Sequence, residues 1–448
     1  MTTERRYGIR VLYTAVFSLL FLSAHLRAED RVPIALPDAA GMRVETIEIE
    51  GLSRTREIVV RRELLFHEGA IVSLETIRES IARIKNLEIF RIVEFHFFKR
   101  EPGPDQTALV IKVEERWTTI PYFSIRGGGG TTAYQAGLFD VNVAGRLNEA
   151  GAQYENLNGT HGGWVWYRNP RLADQHTRLG VDLAAQVRNR DLYRTSGQRE
   201  GAFTIFRKRT HVFVDHELHR SWTVGGGADL TWDQVNESKI APSYRDTNTS
   251  NGYRFSSRSK ARLFELFTEF GHVDTDIYLY RGFEVRLTLQ KSFEFLGSSH
   301  EFYRTLLVGR WYIRLPLRAN IALQMRTGQT SAPEVQDLFY LGGFDTVRGY
   351  PDGILRTKGF LQANAEFRIP SLRTPWLVLQ HVAFVDLARG SPFLRENTQG
   401  DRQDFGSVGA GFRLISPKIY SFNGRLDFAY GLGPAGGWGI AFGSQQFF

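Results

Sequence analysis

From residue 117 to the end, side chains alternate between apolar and polar with a period of two, and this pattern limits the available folds more than any other feature. Phe283, Val285, Leu287 and Leu289 share one face of a segment whose other face carries Glu284, Arg286, Thr288 and Gln290. Leu361, Ala363, Ala365 and Phe367 oppose Gln362, Asn364 and Glu366, while Phe422, Leu426, Phe428 and Tyr430 oppose Asn423, Arg425 and Asp427. That is the period of strands with one apolar and one wet face. Period alone does not say which face is inside, but ionisable groups at strand centres suit a wet lumen with lipid outside. Polar, Gly-rich or Asn-rich breaks divide the segments. At roughly ten residues per strand plus alternating short turns and long loops, residues 117–448 accommodate about sixteen strands. The aromatics Trp164, Trp166, Tyr167, Trp311 and Tyr312 are expected in the girdles where such a barrel meets the membrane interfaces.

The N-terminus reports a compartment. Arg5, Arg6 and Arg10 precede the apolar run Val11 to Ala24, and the small residue Ala28 ends the polar stretch after it. Residues 1–28 therefore read as a cleavable secretory signal, since the apolar run falls short of the ~20 residues a spanning helix needs. No other stretch is long and apolar enough to span as a helix, so the exported, strand-rich remainder is either a soluble periplasmic or secreted β-protein or a barrel in the outer membrane. The formal charge of +8 over 448 residues is too small an excess to indicate nucleic-acid binding. With no cysteine there is neither a disulfide framework nor a thiolate metal site.

Residues 29–41 read as a linker, and residues 42–116 as one compact βααββ module. Ile47 and Ile49 alternate with Glu48 and Glu50 before Gly51 ends the strand. Thr55 and Ser73 are placed to cap two helices, the second with Leu74, Ile77, Ile81 and Ile84 on one stripe. Val93, Phe95 and Phe97 form a second strand, and Leu109, Ile111 and Val113 a third after the Pro102–Asp105 turn. The module resembles a POTRA domain in Ile47-x-Ile49-x-Gly51, Thr55, Arg62-Glu63-Leu64, Gly69, Ser73, Phe90-x-x-Val93 and the closing Val113-Glu114-Glu115. The resemblance implies a periplasmic domain that binds unfolded client polypeptides by adding a strand to its sheet.

A second resemblance lies between the eleventh and twelfth expected barrel strands. Leu341-Gly342-Gly343-Phe344-Asp345-Thr346-Val347-Arg348-Gly349-Tyr350 is similar to the Val-Arg-Gly-aromatic signature on the inward-folded sixth extracellular loop of BamA/TamA-like assembly and translocation barrels, also called bacterial surface antigens. The resemblance implies that Val347, Arg348, Gly349 and Tyr350 form the loop signature, and that Glu366 and Asp386 hold Arg348 inside the lumen. A guanidinium forked onto carboxylates is a contact that lysine would not reproduce. It also implies a weakly paired lateral seam between first and last strands, here near Gly127, Gly128, Gly439 and Gly443, where side-chain packing is sparse. Phe448 matches the aromatic chain end of outer-membrane barrels, whereas Gln446 departs from the usual apolar residue. The bacterial assembly and secretion members carry several, three or two POTRA domains, the mitochondrial sorting-and-assembly barrel shares the one-POTRA layout, and a single one leaves client and direction of transport open.

Nothing in the sequence resembles a G-x-S-x-G elbow, an H-E-x-x-H helix or a P-loop. His211, Asp215, His216 and His219 cluster in sequence, but on a strand His216 and His219 point to opposite faces. The expectation is a mainly β protein, a sixteen-stranded antiparallel transmembrane barrel behind one α/β POTRA domain. It is expected in the bacterial outer membrane, with no cofactor, no metal and no covalent chemistry. Expected partners are outer-membrane lipids, client polypeptides and an accessory protein of the periplasm or inner membrane. Alternatives within the same fold are a passive pore or structural surface antigen, or a two-partner-secretion-like exporter.

Overall fold

The computed structural model describes residues 32–99, 105–128, 131–193, 197–236, 238, 256–343, 346–390, 404–419, 422–433 and 435–443. The secretory-signal reading of residues 1–28 lies outside them, as do Gly129, Gly130 and Phe448. The chain folds as two compact units, the smaller drawn from its first 114 residues and the larger containing residues 115–448.

The smaller unit holds β1 (Val32–Ile34), β2 (Arg43–Glu50), α1 (Glu57–Arg61), α2 (Leu74–Asn86), β3 (Phe90–Lys99) and β4 (Gln106–Glu115). Ser73 opens α2 as expected, accepting a hydrogen bond from the Thr76 N–H at 3.1 Å while its own N–H reaches Thr76 Oγ1 at 3.1 Å. Buried apolar side chains come from both layers, Val60, Ile77 and Ile84 from the helical segment and Ile47, Leu109 and Ile111 from the sheet. The sheet has four strands in the order β1-β3-β4-β2, with β2 parallel to β4. The fourth strand comes from the segment read as a linker, where Val32, Pro33 and Ile34 pair with Lys99, Phe98 and Phe97. A three-residue edge strand containing proline has no period to read, and an edge is where a sheet tolerates proline.

The larger unit opens with β5 (Thr119–Gly128), β6 (Thr131–Val143), β7 (Asn148–Leu157), β8 (Thr160–Asn169), β9 (Thr177–Tyr193) and β10 (Arg199–His219). It continues with β11 (Trp222–Asn236), β12 (Arg258–Asp276), β13 (Leu279–Ser292), β14 (Tyr303–Arg314) and β15 (Asn320–Thr330). A small hairpin of β16 (Phe339–Leu341) and β17 (Leu355–Thr357) follows, then β18 (Gly359–Arg373), β19 (Val378–Gly390), β20 (Asp404–Ile415), β21 (Asn423–Leu432) and β22 (Trp438–Gly443). Apart from the hairpin, these form a sixteen-stranded antiparallel meander from β5 to β22. Connections are short on the side where the chain enters β5, as at residues 220–221 and 277–278, and long on the other, as at residues 331–358.

The polar face lines the lumen. Arg168 meets Asp182 at 2.6 Å, Arg178 meets Asp215 at 2.6 Å, Arg207 meets Asp233 at 2.6 Å and Arg209 meets Asp229 at 2.8 Å. Phe283, Leu289, Leu361 and Phe367 stand exposed on the opposite face, where lipid covers them. The expected girdle divides between the two faces. Tyr167 and Trp311 point outward, but Trp164 and Trp166 share the parity of the lumenal Arg168, and Tyr312 is buried inward against Tyr280. Strand alternation sends neighbouring aromatics to opposite faces, whatever their chemistry. Trp166 lies 6.0 Å from Phe139 across Gly151, which leaves room for both rings.

A Cβ at residue 151 would lie 2.3 Å from Trp166 Cζ2 and 2.6 Å from Phe139 Cβ. Gly151→Ala is therefore expected to lower unfolding stability by about 1–3 kcal/mol through overpacking. Urea unfolding followed by heat-modifiable gel mobility reads the change, and an unaltered midpoint would mean that the two rings can part without cost.

Candidate functional site

The long connection between β15 and β18 folds back among the lumenal side chains. The β16–β17 pair, with Phe339 opposite Thr357 and Leu341 opposite Leu355, closes it into a stem. Beyond the stem, the Gly342 N–H donates to Thr346 Oγ1 at 2.6 Å and the Gly343 N–H to the Tyr350 carbonyl at 3.1 Å. Val347, Tyr350 and Ile354 bury their apolar surface with Phe360, Ala388 and Phe405 of the wall. This packing aims Arg348 between β18, β19 and β21.

Arg348 is 1% exposed. Its Nε and Nη2 fork onto Asp386 Oδ2 and Oδ1, both at 2.8 Å, and its backbone N–H reaches Asp386 Oδ2 at 3.1 Å. Its Nη1 donates to Glu366 Oε1 at 2.8 Å and to Asp427 Oδ2 at 2.9 Å. The guanidinium carbon lies 3.3 Å from the centroid of the Phe384 ring. The planar donor set matches the carboxylates on its rim, and the ring covers its face.

The sequence singled out Glu366 and Asp386 but not Asp427, Arg368 or Arg413. Arg413 donates to Asp427 Oδ1 at 2.5 Å and to Glu366 Oε1 at 3.0 Å, and Arg368 Nε donates to Glu366 Oε2 at 2.8 Å. All three are fully buried. Two glycines of β20 make the space. A Cβ on Gly409 would lie 2.2 Å from Phe384 Cζ, and one on Gly411 would lie 2.2 Å from Asp427 Oδ1. Asn364 completes the first carboxylate, donating to Asp386 Oδ1 at 2.9 Å.

Gly349 and Tyr350 carry the loop toward the end of the sheet. Tyr350 Oη donates to the Gly406 carbonyl at 2.8 Å and also meets the Leu432 carbonyl. Gly349 has φ +84°, and a Cβ there would sit 2.6 Å from Gly431 N, so both its conformation and the close approach call for glycine. Its carbonyl accepts from the Gly437 N–H at 3.1 Å, while its Cα lies 3.1 Å from where a Cβ on Gly439 would stand. The lumenal face of β22 is thus Gly439, Ala441 and Gly443, with Trp438, Ile440 and Phe442 outward. At the other edge Gly127 and Gly128 pair with Thr132 and Thr131 of β6. Among the described residues no hydrogen-bonded ladder joins β22 to β5.

The smaller unit has its own edges. The outer edge of β2 is covered: Val44 exchanges backbone hydrogen bonds with Gly69 and Ala70, and Ile47 is capped by Glu68 and Arg61. β1 covers Phe97–Lys99 of β3. Among the described residues Phe90–His96 faces no strand on that side.

Of the histidine cluster, His211 contacts Asp182 at 3.3 Å and His216 contacts Thr177 at 2.8 Å. Among the described residues no group of three or more His, Cys, Asp or Glu is arranged to hold a metal ion.

Removing one partner from a buried ion cluster costs about 3–5 kcal/mol, because the remaining charges stay buried without compensation. Arg348→Ala is expected to release the loop, seen as new protease cleavage within residues 346–358 of the folded barrel. Arg348→Lys should restore protection only in part, since an ammonium cannot fork onto Asp386 and reach Glu366 together. Protease resistance of Arg348→Ala equal to the parent would mean that apolar packing alone holds the loop.

Comparison with known proteins places this geometry in a family. The model of the Omp85 superfamily domain matches residues 142–441, and that of the POTRA family, described as a surface antigen variable number repeat, matches residues 42–116. The outer membrane protein assembly factor BamA of Neisseria meningitidis is 23% identical over 350 residues, covering 70% of this chain and 40% of the relative, so the chain spans about two fifths of that protein's length. Similar folds occur in BamA from Haemophilus ducreyi lacking POTRA domains 1–3 (TM-score 0.56, 16% identity, 90% of this chain and 84% of that one) and in CdiB from Escherichia coli (TM-score 0.63, 11% identity, 90% and 76%). CdiB from Acinetobacter baumannii is alike as well, at TM-score 0.58 and 14% identity over 90% and 73%. With the superfamily model covering more than half of its length, the chain belongs to the Omp85 superfamily, as an outer-membrane barrel with one POTRA domain on the periplasmic side.

Proposed function

We propose that the protein handles other polypeptides at the outer membrane, receiving a client at the POTRA sheet and passing it into or across the membrane at the seam between β5 and β22. The carrying observation is the asymmetry of the barrel wall. Strands β18 to β21 are bound to the loop by a buried ion cluster, while the described part of β22, Trp438–Gly443, shows the lumen only glycine and alanine. Cross-strand side-chain pairs are the unit of sheet stability, and such a strand offers few. A joint that is poor in pairs can part and let a client strand add to the exposed edge.

The stretch of β3 from Ile92 to His96, which faces no strand among the described residues, supports the periplasmic half of the reading, because such an edge next to paired strands is a template for an incoming chain. No covalent step is needed, since strand exchange only trades hydrogen bonds. The relative from Neisseria meningitidis is named an assembly factor, which favours insertion of clients over export.

The absence of native cysteine allows a clean test. Phe123 and Ile440 or Phe442 face outward on the two edge strands, so cysteines at Phe123 and one of these can meet on one face; Ser124 faces the lumen and belongs with Ala441. Pairs are kept where the crosslink forms efficiently. Oxidation is expected to stop insertion of a reporter barrel protein by the reconstituted chain, and reductant to restore it. Undiminished insertion with a fully crosslinked seam would contradict the seam mechanism and favour a passive pore.

A further inference from the structure

On the outer face the wall changes chemistry near its extracellular rim. One cross-strand row runs Gly163, Ala185, Lys208, Trp232, Lys260 over β8 to β12. Lys208 stands eleven residues before His219, the periplasmic end of β10, and a tilted strand crosses the hydrocarbon in ~9–11 residues. The row therefore reaches the outer membrane interface at Lys208 and rises beyond it. Along β12 the outward residues are Arg258, Lys260 and Arg262, then Phe264 and Leu266, so the strand passes from basic to apolar within a few residues. On β10 the residues below Lys208 on the same face are Thr210, Val212 and Val214.

Lys208, Arg258 and Lys260 are exposed, and among the described residues none has a carboxylate within ion-pair distance. The contrast with the lumenal face of the same strands is sharp, where Arg207 and Arg209 are paired with Asp233 and Asp229. Beside the cations the surface is hollow. Small residues Ala136, Ala152, Gly163 and Ala185 lie between Tyr154 and Trp232 in a concavity of about 1070 Å³. Lysine stems lie along apolar surface and carry their heads to the interface, and tryptophan marks the same level.

We propose that this face binds a phosphorylated, acylated lipid of the outer leaflet, its phosphate between Lys208 and Lys260 and an acyl chain in the hollow below. The argument is charge complementarity: three outward cations without a carboxylate partner among the described residues, Lys208 at the depth where headgroup phosphates begin and Lys260 and Arg258 above it, next to a chain-sized apolar hollow. Such a contact fixes one flank of the barrel in the leaflet, with the cations on β10 and β12 and the hollow reaching back to β6, the neighbour of the seam strand β5. It does not depend on client handling, because lipid retention is measured without a client.

The test uses the full-length protein in phosphatidylcholine nanodiscs doped either with diphosphoryl lipid A or with an uncharged glycolipid of equal chain length. After mild detergent extraction, native mass spectrometry counts the lipids retained. The phosphorylated lipid is expected to stay bound and the neutral one to be lost. Lys208→Ala with Lys260→Ala should reduce retention roughly tenfold, at about one factor of a few per lysine. Lys208→Glu, a surface change, should abolish it while heat-modifiable mobility reports an intact barrel. Equal retention of the neutral glycolipid, or retention unchanged in the folded double variant, would overturn the proposal.

Discussion

The structure of the barrel interior depends on one buried guanidinium. Arg348 leaves a loop, enters the lumen and satisfies Asp386 and Glu366 while sharing Asp427 with Arg413. In a site closed to water each of these charges would be costly alone, and only the complete arrangement is tolerable. Such clusters have few alternatives, because a shifted loop leaves carboxylates buried without donors. The loop is thereby fixed in position more firmly than its apolar contacts would require.

That rigidity is unevenly distributed. Anchors for the loop come from β18, β19, β20 and β21, the four strands that supply Glu366, Asp386, Arg413 and Asp427. Among the described residues the end of the chain meets the loop through glycine and backbone, with the Gly437 N–H donating to the Gly349 carbonyl just before β22 and Gly439 of β22 lying against Gly349. In the proposed mechanism, fixing the wall up to β21 concentrates opening at the final pairing. A closed barrel normally removes sheet edges, so a protein that works on other strands has to keep one edge available.

The sixteen strands were legible because alternation with charged lumenal residues runs the length of the chain, and membrane strands must satisfy their backbone in a closed sheet. Arg348 was legible because its signature is contiguous. Asp427 was visible only as one polar member of its strand face. Which distant strand faces a given loop atom depends on tilt and register, and no local pattern encodes these. The lumenal Trp166 was hidden for a related reason, since its placement follows from the parity of Arg168 and from the room above Gly151. The short β1 strand escaped because three residues with a proline carry no periodic signal.

The central claim is that the clamped loop leaves β22 as the weak joint of a stable wall. Hydrogen–deuterium exchange of the full-length protein in lipid nanodiscs tests it most directly, because amide protection reports local opening free energy strand by strand. Amides of Trp438–Gly443 and Thr119–Gly128 that face the seam should exchange at least about tenfold faster than those of β20 and β21. Arg348→Ala should narrow that gap by loosening β18 to β21. Seam amides as protected as those of β20 and β21 would contradict the account.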